Sequence, residues 1–226
     1  MLIRLLPYSL AVAFMASLAA CSSNAQPKTP IPVATVDAPL AAGPARKAVF
    51  AGGCFWGTQS VFERVKGVTN TVAGYAGGSA FTATYDQVNT ETTGHAESVQ
   101  ITYDPARITY GQLLRIFFSV AHDPTQLNRQ GPDVGTSYRS VIFYANDDQK
   151  RIATAYIAQL DAAKVFPKPI VTQVTPLKGF FDAEYYHQDY ALHNPNNPYI
   201  LVCDKPKIEA LKQEFPEYFV EYKGKH

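Results

Sequence analysis

The chain has 226 residues with a formal net charge of +1 at pH 7, and 46% of its residues are hydrophobic. This composition is globular and supplies enough apolar surface for one sizeable core. Because the net charge is near zero, nothing indicates a nucleic-acid or acidic partner, and we expect no nucleic-acid binding. The sequence also contains no internal repeat and no phosphate-binding or calcium-loop motif.

The N-terminus has the features of an export signal rather than of a folded segment. Arg4 precedes an apolar run over residues 5–20, which is too short for a confident membrane-spanning helix. The run ends in LAAC at residues 18–21, which resembles the lipobox of bacterial lipoproteins. We therefore predict a lipoprotein signal peptide over residues 1–20 and an exported, periplasmic chain that is anchored to a membrane by lipidation of Cys21. The alternative is an ordinary signal peptide cut near the same alanines.

A proline-rich stretch separates this signal from the domain. Residues 21–47 contain five prolines and show no apolar periodicity. Such a composition cannot bury enough surface to order itself. We predict a disordered tether over residues 21–47 and one folded domain over residues 48–226.

The first half of the domain begins with a strand and a helix. An apolar run over residues 47–51 predicts a strand that ends at the Gly52-Gly53 pair. Apolar residues at helical spacing predict a helix over residues 55–65. Strands follow over residues 68–75 and 96–103, and a long glycine-containing loop joins them.

The second half supplies two more core elements and several additions. In order, it predicts a helix over residues 113–120, a polar loop over 122–137, a strand over 138–144, a helix capped by Asn146, a strand over 170–175, and short helices near 183–192 and 206–215. The core order is β-α-β-β-α-β, which is the split βαβ order of ferredoxin-like folds. We predict an α+β fold with this core, long loops and extra C-terminal elements.

The stretch GGCFWG at residues 52–57 places a cysteine at the predicted strand-to-helix turn. A helix N-terminus stabilises a thiolate, and the glycines let the backbone come close to the site. Cys54 therefore has the surroundings of a nucleophile. Two alternatives remain open from position alone. One is an inert buried thiol, and the other is a structural disulfide with Cys203, which is plausible in an exported protein.

Glu97 is the second candidate for a chemical role. In the strand AESVQITY it alternates onto the same face as Val99, Ile101 and Tyr103. A carboxyl on an apolar face loses hydration, so its pKa rises and it can hold a proton near neutral pH. This is the profile of a general acid. The alternative is a glutamate at the strand end that reaches solvent.

Five motifs in chain order resemble those of the A-type peptide methionine sulfoxide reductases. They are GGCFWG (52–57), GYAGG (74–78), TGHAESVQITYDP (93–105), GPDVGTSYRS (131–140) and AEYYHQDY (183–190). The resemblance covers essentially the whole domain. It implies reduction of the S epimer of methionine sulfoxide, free or within proteins, to methionine, and hence repair of oxidised proteins.

The resemblance also assigns roles by motif position. Cys54 matches the nucleophile that attacks the sulfoxide sulfur, and Glu97 matches the acid that protonates the sulfoxide oxygen. Tyr85 and Tyr138 match the hydroxyls that hydrogen-bond this oxygen. Asp133 matches a polar residue that lines the site.

The remaining implications concern the pocket and the reductant. Phe55 and Trp56 match the walls around the substrate's methyl group. The product is methionine together with a sulfenic acid on Cys54. No metal or organic cofactor is required, and an external thiol, from a thioredoxin-like protein or dithiothreitol, restores the cysteine. We expect free and protein-bound methionine sulfoxide as substrates, a lipid anchor, and a monomer.

Regeneration is the point at which this sequence departs from many family members. Those proteins carry resolving cysteines in a glycine-rich C-terminal tail, whereas this chain ends in FPEYFVEYKGKH. Cys203, in YILVCDKPK, is the candidate resolving cysteine of the domain. The alternative is that Cys203 is a buried strand cysteine and that an external thiol reduces Cys54 directly.

Other functional classes remain to be weighed. A papain-like hydrolase also uses cysteine and histidine, but the cysteine signature of that family is absent. A non-enzymatic anchored binding module would not need Cys54. A zinc site from Cys54, His95 and His187 lacks the paired spacing of metal motifs, so we expect no metal.

Overall fold

The computed structural model describes residues 30–224. Within this range the strands are β1 (Arg46–Gly52), β2 (Val68–Ala76), β3 (Ala96–Tyr103), β4 (Arg129–Gln130), β5 (Asp133–Val134), β6 (Ser140–Tyr144), β7 (Gln173–Pro176) and β8 (Phe180–Asp182). The α-helices are α1 (Phe55–Phe62), α2 (Tyr85–Val88), α3 (Tyr110–Ile116), α4 (Asp147–Ala162), α5 (Tyr190–His193) and α6 (Lys205–Glu214).

One six-stranded sheet organises the molecule, in the order β7-β6-β1-β3-β2-β8. Its four central strands pair antiparallel, β6 with β1, β1 with β3, and β3 with β2. Numbered along the chain, these strands lie in the order 4-1-3-2 and carry α1 and α3 between them. The predicted α+β fold with its ferredoxin-like core is confirmed. The strands β7, which is parallel to β6, and β8 extend the sheet at its two edges.

The core lies between one face of the sheet and the helices. Because strand side chains alternate, β1 sends Ala48 and Phe50 into this core and Val49 and Ala51 to the other face. The ring of Phe50 contacts those of Phe62, Tyr110 and Phe117, at centroid distances of 5.8, 5.9 and 4.9 Å. The helix α1 is thereby held against the centre of the sheet.

Several predicted boundaries agree with the structure and others do not. The strand predicted at residues 96–103 is β3, and Asn146 caps α4 by accepting a hydrogen bond from the Gln149 N–H at 2.9 Å. The strand predicted at 138–144 begins only at Ser140, because residues Thr136–Tyr138 form a 3₁₀ turn. The region of Cys203 is a π-helical turn, Ile200–Asp204, and not a strand.

The predicted tether over residues 21–47 requires a correction. Residues 21–29 lie outside the described part of the chain, but residues 31–41, which we call the strap, pack on α3 and α4. The side chain of Ile31 is 3% exposed. Tyr156 donates a hydrogen bond to the Pro32 carbonyl at 2.6 Å, and Asp37 accepts one from the Gly111 N–H at 2.9 Å. The backbone of the strap supplies most of its hydrogen bonds to the domain. Few apolar side chains are therefore needed to hold the strap in place.

Replacing Ile31 with alanine is expected to lower the free energy of unfolding by about 2 kcal/mol, because it removes a buried side chain from the strap. The control is Val33→Ala, since Val33 is 61% exposed and should change stability by less than about 0.5 kcal/mol. Urea unfolding of both variants measures the difference. Equal, small effects would mean that the strap contributes nothing to stability.

Two further points concern the ends of the chain. The signal-peptide and Cys21 predictions fall on residues outside those described. Among residues 30–224, no helix is both long and apolar enough to cross a membrane.

Candidate active site

Cys54 lies at the N-terminus of α1, directly after β1. It occupies the N-cap position, and its side chain is a free thiol that is buried, with 8% exposure. The turn depends on Gly53, which has a φ of +85° and against which the Gln130 side chain packs where a Cβ would stand. Because Cys54 is a free thiol, the structure does not contain the Cys54–Cys203 disulfide that was one alternative.

Glu97 lies beside this cysteine on β3. Its side chain is buried on the same face as Val99 and Ile101, as the alternation predicts. The carboxylate oxygen Oε2 accepts a hydrogen bond from the Phe55 N–H at 2.9 Å, and the Cys54 thiol also hydrogen-bonds this carboxyl. Burial raises the pKa of Glu97 to about 8, against the opposing effect of the Phe55 hydrogen bond. Glu97 therefore holds a proton at neutral pH.

The thiol of Cys54 is less acidic than its helix position suggests. Burial raises its pKa well above the ordinary value, and the nearby carboxyls of Glu97, Asp204 and Asp133 raise it further. The Trp56 N–H acts in the opposite direction. The expected thiolate stabilisation at the helix N-terminus is therefore present but is outweighed by burial.

Two tyrosines reach the site from separate loops. Tyr85 begins α2, and its N–H donates a hydrogen bond to Glu184 Oε1 at 2.9 Å. Tyr138 ends the 3₁₀ turn before β6. Burial, and then the charges of Glu97 and Cys54, raise the pKa of the Tyr138 hydroxyl, with smaller effects from Asp133 and Tyr85. These groups therefore lie close to one another, and the Tyr138 hydroxyl remains a protonated donor.

The aromatic walls follow Cys54 directly. Phe55 is 1% exposed, and its ring contacts those of Tyr75 and His187 at centroid distances of 5.8 and 5.0 Å. The partly buried Trp56 stacks on Tyr190, with centroids 3.7 Å apart and the planes 8° from parallel. The two rings give the site an apolar, polarizable lining.

Asp133 is placed in the same surroundings by β5. It accepts a hydrogen bond from the Tyr199 hydroxyl, and burial raises its pKa while that hydrogen bond and Lys207 act against the rise. Cys203 lies four residues after Tyr199, in the π-helical turn Ile200–Asp204, and is partly buried. The same turn places Asp204 close enough to affect the Cys54 pKa.

A buried ion pair supports the start of α1. Lys207 Nζ lies 3.2 Å from Asp204 Oδ1, and the Asp204 side chain is fully buried. Gly57 faces this pair, and a Cβ at that position would overlap the Asp204 carboxylate. No sequence signal pointed to this pair, because both partners come from the C-terminal segment and meet α1 only in the folded chain.

Replacing Lys207 with methionine is expected to lower the free energy of unfolding by about 3 kcal/mol, because Asp204 is left buried without its counter-charge. The double variant with Asp204→Asn should recover most of this loss. The control is Arg151→Met, which removes an exposed pair with Asp148 (side chains 55% and 76% exposed) and should cost less than about 1 kcal/mol. Urea unfolding at pH 7 compares the three. A loss for Lys207→Met no larger than for Arg151→Met would contradict the stabilising role.

Three residues of the site were missed by sequence reasoning alone. Glu184 accepts hydrogen bonds from the Tyr75 hydroxyl and the Tyr85 N–H, both at 2.9 Å. His187 accepts one from the Trp56 indole at 3.1 Å, and Tyr199 binds Asp133 as described. The motif AEYYHQDY contains Glu184 and His187, so the motif was a signal for them. Nothing in the sequence singled out Tyr199.

The other two histidines near the site stabilise loops. His95 accepts a hydrogen bond from the Gly78 N–H at 3.3 Å and contacts the Ser79 carbonyl at 2.9 Å, so it closes the loop before β3. His122 contacts Ser140 Oγ at 2.7 Å, and burial lowers its pKa to about 4. Both histidines therefore act in holding the fold together.

Comparison with known proteins identifies the arrangement. Residues 46–218 match the family described as peptide methionine sulfoxide reductase. Peptide methionine sulfoxide reductase MsrA 2 of Mesorhizobium japonicum is 60% identical over 77% of this chain and 89% of its own length. MsrA 2 of Synechocystis is 52% identical over 76% of this chain and 80% of its own length. The crystal structure of reduced Mxr1 from Saccharomyces cerevisiae covers 70% of this chain and 91% of its own, at 33% identity and a TM-score of 0.63.

The family match covers every element that contributes to the site, from the start of β1 to beyond α6. It excludes the strap, which precedes residue 46. The two relatives named above are peptide methionine sulfoxide reductases, and a buried thiol beside a protonated carboxyl would support that activity. This chain therefore belongs to the peptide methionine sulfoxide reductase family.

Proposed function

We propose that the chain reduces the S epimer of methionine sulfoxide through Cys54, with Glu97 as the acid. Thiol-dependent reduction of methionine sulfoxide, and with it protein repair, is the activity of the family to which the chain belongs. In the step proposed, Glu97 gives its proton to the sulfoxide oxygen and takes up the proton of the Cys54 thiol, while the thiolate so formed attacks the sulfoxide sulfur. Methionine leaves, and Cys54 becomes a sulfenic acid that retains the transferred oxygen.

The observation that carries this mechanism is the contact between Cys54 and a carboxyl that is neutral at pH 7. A sulfoxide oxygen needs a proton before its bond to sulfur breaks readily, and a carboxylate could not supply one. The Glu97 pKa of about 8 keeps that proton available. In the resting site the same carboxyl also neighbours the thiol, so it is placed to exchange protons with both reacting groups.

The aromatic residues bind the substrate around this pair. The hydroxyls of Tyr85 and Tyr138 donate hydrogen bonds to the sulfoxide oxygen, and their effect grows as negative charge develops there. Phe55 and Trp56 pack against the S-methyl group. Asp133, held by Tyr199, lines the polar side of the pocket. The support for these assignments is that Asp133 and Tyr138 lie close enough to Cys54 to interact with it electrostatically, that Tyr85 lies close to Tyr138, and that Phe55 and Trp56 directly follow Cys54 on α1.

The reduction of Cys54 requires electrons from outside the chain. We propose that an external thiol attacks the sulfenic acid and releases water, and that a second thiol then displaces Cys54 from the mixed disulfide. Dithiothreitol supplies both thiols in vitro, and a thioredoxin-like protein is the physiological class that we infer. Under this proposal, Cys203→Ser keeps multiple turnovers with dithiothreitol. Non-reducing peptide mapping after one turnover tests the other route, since a Cys54–Cys203 disulfide would show that Cys203 resolves the sulfenic acid.

The test of the function uses the purified chain with each epimer of a blocked methionine sulfoxide and excess dithiothreitol. Chromatography detects the methionine product. We expect loss of the S epimer alone. If a folded, fully reduced sample consumes neither epimer, the mechanism proposed for Cys54 and Glu97 is wrong.

We also propose that the chain is an exported lipoprotein that works in the periplasm. The support is the sequence itself, an apolar run that ends in LAAC at residues 18–21. Its substrates would then be oxidised exported proteins, and its electrons would come through a thiol relay outside the cytosol. Globomycin should cause the uncleaved precursor to accumulate, and mass spectrometry should find a lipid on Cys21. Unchanged processing in the presence of globomycin would rule out lipidation.

A further inference from the structure

The ring of His187 is buried against the wall of the candidate site. It ends the 3₁₀ turn Tyr185–His187 and is 2% exposed. Its Nδ1 lies 3.1 Å from Trp56 Nε1. Because an indole nitrogen only donates, His187 Nδ1 must accept this hydrogen bond, which leaves the ring proton on Nε2. The contact exists only for the neutral ring in this one tautomer.

A carboxylate on the same turn favours that tautomer. Glu184 Oε2 lies 4.0 Å from His187 Nε2, which makes no direct hydrogen bond within residues 30–224. Burial acts to raise the pKa of Glu184, but the hydrogen bonds that it accepts, among them those from the Tyr85 N–H and the Tyr75 hydroxyl, lower it overall. An ionised Glu184 stabilises a proton on the nearer nitrogen, Nε2, rather than on Nδ1. Glu184 thus positions Tyr85 through a direct hydrogen bond, and it positions Trp56 indirectly, through His187.

We propose that His187 is a positioning residue that fixes the Trp56 indole by accepting its N–H, and that protonation of His187 releases this wall and weakens substrate binding. A protonated ring carries hydrogen on both nitrogens, so Nδ1 can no longer accept. The consequence for binding rests on the proposed role of Trp56 as a wall of the methyl pocket. The indole keeps its stacking on Tyr190, so the wall loosens and is not lost.

The groups that face the His187 ring determine the pH range in which the ring becomes protonated. Burial lowers the pKa of His187 below its ordinary value of 6.5, and the Glu184 carboxylate acts against that effect. The other titratable groups packed on the ring are the phenols of Tyr85 and Tyr186, at centroid distances of 4.6 and 4.3 Å. The neutral form therefore prevails at pH 7, and the switch occurs on acidification below pH 6.5.

Tryptophan fluorescence tests the contact directly, because Trp56 is the only tryptophan of the chain. Without substrate, the emission of the full chain should change between pH 7.5 and pH 5, since a protonated imidazole quenches a neighbouring indole. His187→Gln provides a carbonyl acceptor that does not titrate, and it should abolish this transition. A transition that persists unchanged in His187→Gln would overturn the proposal, whatever the enzymatic activity.

Steady-state kinetics test the consequence for binding. His187→Phe keeps a ring but offers no acceptor, so KM for methionine sulfoxide should rise about threefold to tenfold at pH 7.5, with a smaller effect on kcat. His187→Gln should have a KM nearer to that of the wild type. The wild-type KM should rise from pH 7 to pH 5, and that of His187→Gln should stay flat. A His187→Phe variant with the wild-type KM and pH profile would show that the indole needs no such acceptor.

Discussion

Replacing Cys54 with serine should reduce methionine sulfoxide turnover to the background level. A hydroxyl is a far weaker nucleophile than a thiolate, and no histidine among residues 30–224 makes a hydrogen bond to residue 54 that could activate it. The measurement is methionine release from the S epimer with excess dithiothreitol. Circular dichroism checks that the variant is folded.

A second measurement on the same variant isolates the intermediate. In the wild type, one turnover without reductant should leave a sulfenic acid on Cys54 that a dimedone-type reagent traps. The Cys54→Ser variant should trap nothing at this position. If this variant still released methionine at a rate comparable to the wild type, the nucleophile would have to be a different residue.

Replacing Glu97 with glutamine should lower kcat by about a hundredfold to a thousandfold, because the proton donor to the sulfoxide oxygen is removed. The shape of the pH profile gives the sharper test. In the wild type, kcat should fall above about pH 8 as Glu97 loses its proton. The Glu97→Gln variant should lack this alkaline limb, that is, its kcat should not fall above about pH 8. Identical alkaline limbs in the two proteins would assign the titration to another group.

The same carboxyl should make stability depend on pH. Glu97 ionises near its ordinary value of 4.5 in the unfolded chain and at about 8 in the folded one. The folded state therefore binds more protons between these values, and the stability that Glu97 contributes is lost as the pH rises through this window. Urea unfolding at pH 5 and pH 8 should show a steeper loss for the wild type than for Glu97→Gln.

The local patterns of the sequence predict the core of the fold well. The alternation of AESVQITY predicts both the bounds of β3 and the burial of Glu97, because each depends only on side-chain period. Asn146 predicts the start of α4 because a cap acts within one turn. The strap, residues 31–41, was predicted incorrectly as part of a tether, since its docking depends on partners such as Tyr156 that are distant in sequence.

The same distinction applies to the candidate site. Cys54 and Glu97 could be selected from their positions, and the tyrosines only from the resemblance. Tyr199 and the Asp204–Lys207 pair were not found, because their roles arise from contacts with α1 and β5. The effect of the helix terminus on the Cys54 pKa was overestimated, because the sequence shows neither the burial of the thiol nor the three carboxyls around it.

The edges of the sheet have a consequence for an enzyme that handles damaged proteins. An exposed strand edge can pair with the extended backbone of another chain, and such pairing leads to aggregation. Here β7 has four residues and ends at Pro176, which has no N–H, and β8 has only three. Both edges therefore offer a client few hydrogen bonds. Under the mechanism proposed for Cys54, the chain would therefore bind one methionine side chain of a client without pairing with the client's backbone.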